Sequence, residues 1–475
     1  MCVFLFFQKT CFAGAHLPLL FRSSADHAFL MHQNPIQYPL VDDPKVRGSK
    51  TYAYPLTTMS HVKDPSLAPQ GRLNLEIAEK HMSALLEVQK RFAKEQPFKG
   101  LTIGMALHVT KETGILVHTL VSGGAKVAIT GCNPLSTQDD IAAALAEEKD
   151  VLVWAYKGES TEDYYKFLTA VLETEPDITI DDGCDLVAAI HKERPDLLGK
   201  LIGGCEETTT GVLRLRSMER DGALKMPVVA VNDNLTKHLF DNYYGTGQST
   251  LDGIIRSTNM LIAGKTVVIV GYGSCGKGVA MRSKGLGAQV VVTEVDPLPA
   301  LQAAMDGHRV LPMAQAAPLG DLFITVTGDI HVIRQEHIDV MKDGAVLANS
   351  GHFDHEIDIA TLEKSANRKR RVRHYLDEYL LKSGKVVYVA GEGRLVNLAS
   401  AEGHPSEVMS LSFCGQALAC EYLVKNKGKM RNEVITLPSS IDADIAALAL
   451  TAMGLSIDTL TAEQVKYLGG WEEGT

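Results

Sequence analysis

Apolar positions along the chain follow two alternating patterns. Short aliphatic and β-branched runs read as strands, and they give way to stretches where apolar residues return every third or fourth position, which read as helices. The helical period comes first, over 73–92, with Leu75, Ala78, Met82, Leu85 and Leu86 on one face. Strands are then predicted at 101–106, 126–130, 151–156, 177–180, 201–203 and 227–231, each followed by a helical stretch. A second series follows at 266–270, 289–293, 321–327, 344–349 and 386–390. Regular alternation of this kind predicts parallel sheets covered by helices. The tail, 442–467, reads as two helices joined at Gly454.

One stretch of the second series carries a specific chemistry. Residues 266–270 run into Gly271-Tyr272-Gly273-Ser274-Cys275-Gly276, a helix follows, and the strand 289–293 ends at Glu294. Gly271 permits the tight turn, Gly273 lets the backbone approach a pyrophosphate, and Gly276 brings helix close to strand. Glu294, 23 residues after Gly271, stands where an acid accepts from the ribose hydroxyls of NAD and repels the 2′-phosphate of NADP. With both strands and the terminal acid present, the motif points to a Rossmann NAD-binding domain.

In the first series the informative places are the strand ends, which carry His108, Asn133, Asp181-Asp182, Glu206-Glu207 and Asn232-Asp233. The carboxyl ends of parallel strands converge on one crevice, so these groups should face a common ligand. Singly, each has a plain structural reading: a hydrogen-bonded histidine, or acids capping helix N-termini. Lys237 and Asp241 fall four apart after the last of these strands. They are either a surface pair or a lysine whose pKa is adjusted by acids for proton transfer. Gly245-Thr246-Gly247-Gln248 and Gly403-His404-Pro405-Ser406 are hinge candidates, and the helical 407–424 is expected to return to the first domain.

Bulk properties narrow the class. At 475 residues the chain has room for two or three domains, and 45% hydrophobic with 22% charged residues is ordinary for a globular enzyme. A net charge of −10 argues against a nucleic-acid partner, and the basic run 367–373 reads as the solvated face of a helix. Eight cysteines at irregular spacing suggest free thiols in a reducing, cytoplasmic compartment, with no metal site. No apolar run is long enough for a bilayer span, so no membrane partner is expected. Residues 1–58 make a poor signal peptide and are expected to be a disordered N-terminal extension.

The segments QPFKGL, LHVTKET, CNPLSTQDD, DDGCDL, EETTTGV, VNDNLTK, GYGSCGKG, NSGHFDHEID and EGRLVNLASAEGHPS, in that order, resemble the S-adenosyl-L-homocysteine hydrolase family from about Phe92 to Leu468. The resemblance implies reversible cleavage of S-adenosyl-L-homocysteine to adenosine and homocysteine with tightly held NAD. Oxidising the 3′-hydroxyl acidifies C4′, homocysteine is eliminated, water adds, and the hydride returns. It implies catalytic roles for Glu207, Lys237 and Asp241 around the sugar hydroxyls, and for Asp182 and His108 near C4′ and C5′. Thr110 and Glu112 match positions at the adenine, where a carboxylate accepts from the amino group and repels the carbonyl of inosine. His352 and His404 match histidines that close the site. Thr208, Thr209, Thr210, Asn242, Glu294, Asn349 and Asn397 match the cofactor side.

Departures from the pattern are Asp140 for a common histidine, Thr246 for a common cysteine, and an ending at 467–475 without the Lys- and Tyr-containing tail of many members. The tail resembles a shorter subgroup. A homotetramer is the family expectation. Rival readings are a 2-hydroxy-acid dehydrogenase that releases NADH, a non-catalytic nucleotide-binding regulator, and a hydrolase preferring S-inosyl-L-homocysteine. The expected organisation is a substrate-binding α/β domain at 59–244 completed by 405–436, a Rossmann domain at 245–404, and a small helical C-terminal segment at 437–475.

Overall fold

The computed structural model describes residues 59–471 and Gly474, and the extension expected over 1–58 lies outside the described residues. The first strands are β1 (His61–Val62), β2 (Thr102–Ala106), β3 (Lys126–Thr130), β4 (Val151–Ala155), β5 (Ile178–Asp181), β6 (Gly203–Glu206) and β7 (Val228–Ala230). Then come β8 (Thr266–Val270), β9 (Gln289–Thr293), β10 (Arg309–Val310), β11 (Leu322–Thr325), β12 (Ala345–Asn349), β13 (Arg368–Arg373), β14 (Leu376–Leu380), β15 (Val386–Ala390) and β16 (Val434–Ile435). They form two sheets, ordered β1-β4-β3-β2-β5-β6-β7-β16 and β10-β9-β8-β11-β12-β15-β14-β13.

The first sheet is parallel throughout, and the second is parallel as far as β15. Strand order reverses between β2 and β5 in the first sheet and between β8 and β11 in the second. Such reversals open a crevice at the carboxyl ends of the strands. Both faces of the first sheet are covered. Ile103, Met105 and Ile129 point into a layer with Leu85, Phe92, Leu116 and Phe413, while Ala106, Ala128 and Trp154 face Phe167, Val171 and Leu186. Double burial explains strands that read as continuous apolar runs, and each large side chain so buried contributes about 1.5–3 kcal/mol.

Several elements depart from the sequence reading. The helical stretch 73–92 is two helices, Ala68–His81 and Ser83–Glu95, because Met82 leaves the helical conformation while staying fully buried. The break lets the first helix lie against helix Asp139–Ala146, so closely that a Cβ at Gly71 would stand 2.0 Å from the Asp140 carbonyl oxygen. The strand expected at 201–203 begins at Gly203 and runs to Glu206. The basic run is the exposed edge strand β13, antiparallel to β14, with Arg370 on Glu378 at 2.7 Å and Lys369 on Glu363 at 2.7 Å. Charge along an outer strand blunts edge-to-edge pairing, and it also removes the apolar period that would mark the strand.

The first crossing to the second sheet is helical where a hinge was expected. A wide π turn over Asp241–Gly245 runs straight into helix Thr246–Thr258. Its glycines serve close packing: a Cβ at Gly247 would meet the Gly278 carbonyl oxygen at 2.7 Å, and one at Gly278 would meet the Tyr243 carbonyl oxygen at 1.9 Å. The return at 403–405 is an irregular loop with Gly403 at φ +87°. Helix Ser406–Lys425 then buries Phe413, Cys414, Ala417 and Cys420 in the first core, and β16 extends the first sheet. The tail forms helices Ser439–Ala452 and Ala462–Gly469.

Gly278→Ala is expected to force helix Ser274–Gly285 away from the π turn and cost about 1–3 kcal/mol, lowering the melting temperature by several degrees. Gly285→Ala, where a Cβ meets nothing within 4 Å, should change stability by less than about 0.5 kcal/mol. Thermal unfolding of both variants beside the parent measures the difference.

Candidate active site

The cross-strand register aligns the strand ends. Ala106 pairs with Asp181, Asp181 with Glu206, and Glu206 with Ala230, so His108, Asp182 and Glu207 leave neighbouring strands side by side. The first acid of each pair stays in the sheet. Asp181 accepts from the backbone N–H groups of Asp182 (3.0 Å) and Val187 (2.9 Å), and Glu206 from those of Gly183 (2.9 Å) and Thr208 (3.0 Å). Burial pushes Asp181 up to about 7 and raises Glu206 well above the usual carboxylate range. These two hold the loops in register, and the second acids project into the cleft.

Glu207 accepts from Ser412 Oγ at 2.5 Å and from the Gln416 amide, both on helix Ser406–Lys425. Lys237 Nζ donates to Asp241 Oδ1 at 3.1 Å and Asn242 Oδ1 at 2.6 Å and lies 3.7 Å from Glu207. The short helix Leu235–His238 ends before Asp241, so the π turn sets this pair, and both residues are buried where a surface pair was one of the two readings. Burial disfavours the Lys237 ammonium, yet the Asp241 and Glu207 carboxylates more than offset it and raise its pKa. Burial acts against the Asp241 carboxylate, but Lys237 and His404 hold its pKa well below the usual range. Glu207 is pushed up to about 7, first by burial, with Lys237 opposing.

A second group forms around Asp182. His108 Nε2 lies 3.4 Å from Asp182 Oδ2, and His352 Nδ1, carried by the loop after β12, lies 3.4 Å from Oδ1. His352 seats on Gly183, where a Cβ would stand 2.3 Å from its ring. His404 closes the other side, 3.4 Å from Asp241 and bonded to Ser249 Oγ at 3.0 Å. Burial pushes His108 down to about 4. At the far end Thr110 caps helix Lys111–Ser122, and Glu112 in its first turn accepts from Ser406 Oγ at 2.7 Å.

On the second sheet the glycine-rich turn is built to receive a dinucleotide. Gly271 has φ +101°, a Cβ at Gly276 would strike the Gly271 carbonyl oxygen at 2.1 Å, and Gly273 has open space before the helix N-terminus. The Glu294 carboxylate is aimed by the backbone N–H groups of Tyr272 (2.7 Å), Val295 (2.7 Å) and Asp296 (3.1 Å). Asn397 donates to Ser249 Oγ, and its Oδ1 is buried without a partner, an acceptor suited to an amide donor. These features fit NAD.

A single cavity of about 1100 Å³ joins both halves. It is lined by His108, Thr110, Glu112, Asp182, Glu207, Thr208, Thr209, Thr210, Lys237, Asp241, Asn242, Gly271, Gly273, Glu294, His352, Asn397 and His404. Gly276 packs behind the turn. Asn349 does not line the cavity: its amide is spent on Thr325, Gly351 and Phe353, shaping the loop that carries His352. Sequence reasoning missed Ser406, Ser412 and Gln416, whose only signal is polarity at buried positions of an apolar helix, and Cys132 and Ser136 beside His108.

The chain matches the family description "S-adenosyl-L-homocysteine hydrolase" over residues 59–198 and "S-adenosyl-L-homocysteine hydrolase, NAD binding domain" over 242–403. It is 57% identical to the adenosylhomocysteinase of Aquifex aeolicus over 87% of this chain and 99% of that one. The chain belongs to the S-adenosyl-L-homocysteine hydrolase family. The S-inosyl-L-homocysteine hydrolase of Methanocaldococcus jannaschii is 58% identical over 88% of this chain and all of that one. The adenosylhomocysteinase of Thermosynechococcus vestitus is 56% identical over 87% and 96%. As a member of the hydrolase family the chain is an enzyme, NAD is its cofactor, and the second sheet is its NAD-binding half.

Gly183→Ala is expected to displace His352 from Asp182, since the added Cβ meets the ring and the backbone sits at φ +109°. Turnover should fall about 100-fold, while thermal unfolding shows a folded chain. An unchanged rate would mean that the His352 contact is dispensable.

Proposed function

We propose that the chain hydrolyses S-adenosyl-L-homocysteine reversibly to adenosine and L-homocysteine in the methyl cycle. The observation that carries this reading is the buried Lys237 ammonium between Glu207 and Asp241, in the same cavity as the Glu294 fingerprint. NAD, when bound, supplies reversible hydride acceptance at the 3′ carbon of the sugar. Glu207, with its pKa near neutrality, accepts the 3′-hydroxyl proton, and Lys237 donates to the oxygen left behind. Asp241 and Asn242 fix the ammonium. A 3′ carbonyl acidifies C4′, and His108 and Asp182 serve the proton traffic there: removal from C4′, delivery to the leaving sulfur, and activation of the water that adds to C5′. His352 and His404 exclude bulk water from the cleft. Thr110 and Glu112 receive the purine, and Thr208, Thr209, Thr210, Asn242 and Asn397 line the cofactor side.

A second reading concerns the purine. The 58% identity to the S-inosyl-L-homocysteine hydrolase of Methanocaldococcus jannaschii favours some turnover of S-inosyl-L-homocysteine. We also propose a cytoplasmic homotetramer. Six free thiols among the described residues support a reducing compartment, and exposed Met453, Leu455, Ile457 and Leu460 near the tail support assembly. No helix among the described residues is long and apolar enough to cross a membrane.

Purified protein incubated with S-adenosyl-L-homocysteine, NAD and adenosine deaminase should release thiol stoichiometrically without lasting absorbance at 340 nm. Accumulating NADH would make it a dehydrogenase, and absence of both signals with NAD still bound would favour a regulator or the inosyl substrate. Glu112→Gln should lower kcat/KM for the adenosyl substrate and shrink its advantage over the inosyl substrate about 10-fold. Equal effects on both would remove Glu112 from purine selection.

A further inference from the structure

We propose that Ser136 is a positioning residue that fixes the tautomer of His108, keeping the proton on Nδ1 so that Nε2 is the base that faces the cleft beside Asp182. The proposal deepens the functional reading above and rests on it. The Asn133 carbonyl oxygen, 3.0 Å from Ser136 Oγ, can only accept, and we assign the one hydroxyl proton to it. The serine oxygen, 2.8 Å from His108 Nδ1, is therefore left to accept. Cys132 Sγ adds a second contact to Nδ1 at 3.2 Å, its own S–H directed to Asp182 Oδ2 at 3.8 Å. That assignment puts the ring proton on Nδ1.

Burial keeps the ring neutral, so it holds one proton, and Nε2 is bare. Asp182 competes for that proton, since a carboxylate draws an N–H towards itself. Distance decides the contest: 2.8 Å on the Ser136 side is a full hydrogen bond, whereas 3.4 Å on the Asp182 side is beyond good range. A proton arriving at Nε2 from the substrate then forms an imidazolium paired with Asp182, with no rearrangement. The other ionisable groups facing the ring are Cys132, His352, whose ring centre is 6.1 Å away, and His404 and Asp241 across the cleft. Of these only Cys132 Sγ touches Nδ1, and a thiol sulfur is a much weaker acceptor than the serine oxygen. Without the serine, the tautomer with its proton on Nε2 is favoured and the base is blocked.

The test separates hydride transfer from proton transfer in the full-length holoenzyme. In Ser136→Ala, formation of the 340 nm signal on adding adenosine, and adenosine affinity, should stay within about twofold of the parent. Exchange of the C4′ hydrogen with D2O should slow about 30-fold, with its pH profile displaced, and Ser136→Thr should restore it to within about threefold. Equal slowing of both steps, or no slowing, overturns the proposal. Histidine nitrogen NMR of the parent protein reads the tautomer directly and decides the matter if the alanine variant does not fold: a proton on Nε2 of His108 at neutral pH overturns it. If the parent releases no thiol from S-adenosyl-L-homocysteine, the functional reading fails, while the ring-nitrogen signal still tests the serine.

Discussion

The arrangement of this enzyme turns on one ammonium among carboxylates. Asp181, Asp182, Glu206, Glu207 and Asp241 are all buried, and five unpaired charges at such depth would cost far more than a protein's net stability. The structure divides them. Asp181 and Glu206 are pushed towards the neutral form and accept from backbone N–H groups, Asp181 through both oxygens and Glu206 through Oε1 alone, stitching the loops after β5 and β6. Gly211 is part of that solution, because a Cβ there would stand 2.1 Å from the Glu206 carboxyl carbon. Glu207 and Asp241 keep the cleft and share Lys237. The T-T-T-G that follows the two glutamates is thus a packing requirement of the first acid as much as a binding surface.

Much of this was legible in the chain. The strand ends, the glycine turn and Glu294 follow from periodicity and spacing, since buried parallel strands leave long apolar runs and their ends must carry the polar groups. What could not be read has physical reasons. β13 is exposed at all six positions, so nothing in its pattern distinguishes strand from helix. Met82 breaks the first long helix without a Gly or Pro, because tertiary packing against helix Asp139–Ala146 overrides the local period. Asn349 ends a strand much as Asn232 follows one, yet its amide is consumed by Thr325 on the neighbouring strand and by its own loop, and spacing carries no sign of that.

Ser412 and Gln416 were hidden for a different reason. They lie more than 200 positions after Glu207, on a helix whose buried apolar residues belong to the first core. A polar residue inside an apolar helix signals a partner, and only the fold says which one. The same helix anchors both ends of the site, through Ser406 at Glu112 and Gln416 at Glu207, so the purine end and the sugar end are set by one rigid rod.

The two crossings between the sheets give the chain a particular architecture. Thr246 Oγ1 and His404 Nε2 are 158 positions apart in sequence and 3.4 Å apart in space. The NAD-binding half therefore enters and leaves the first domain at a single point, like a loop grown to the size of a domain. Its whole length lies between two touching ends, and the first sheet closes through β16 without it. The length of that half can therefore change without re-threading the first domain, provided Thr246 and His404 still meet and His352 still reaches Asp182.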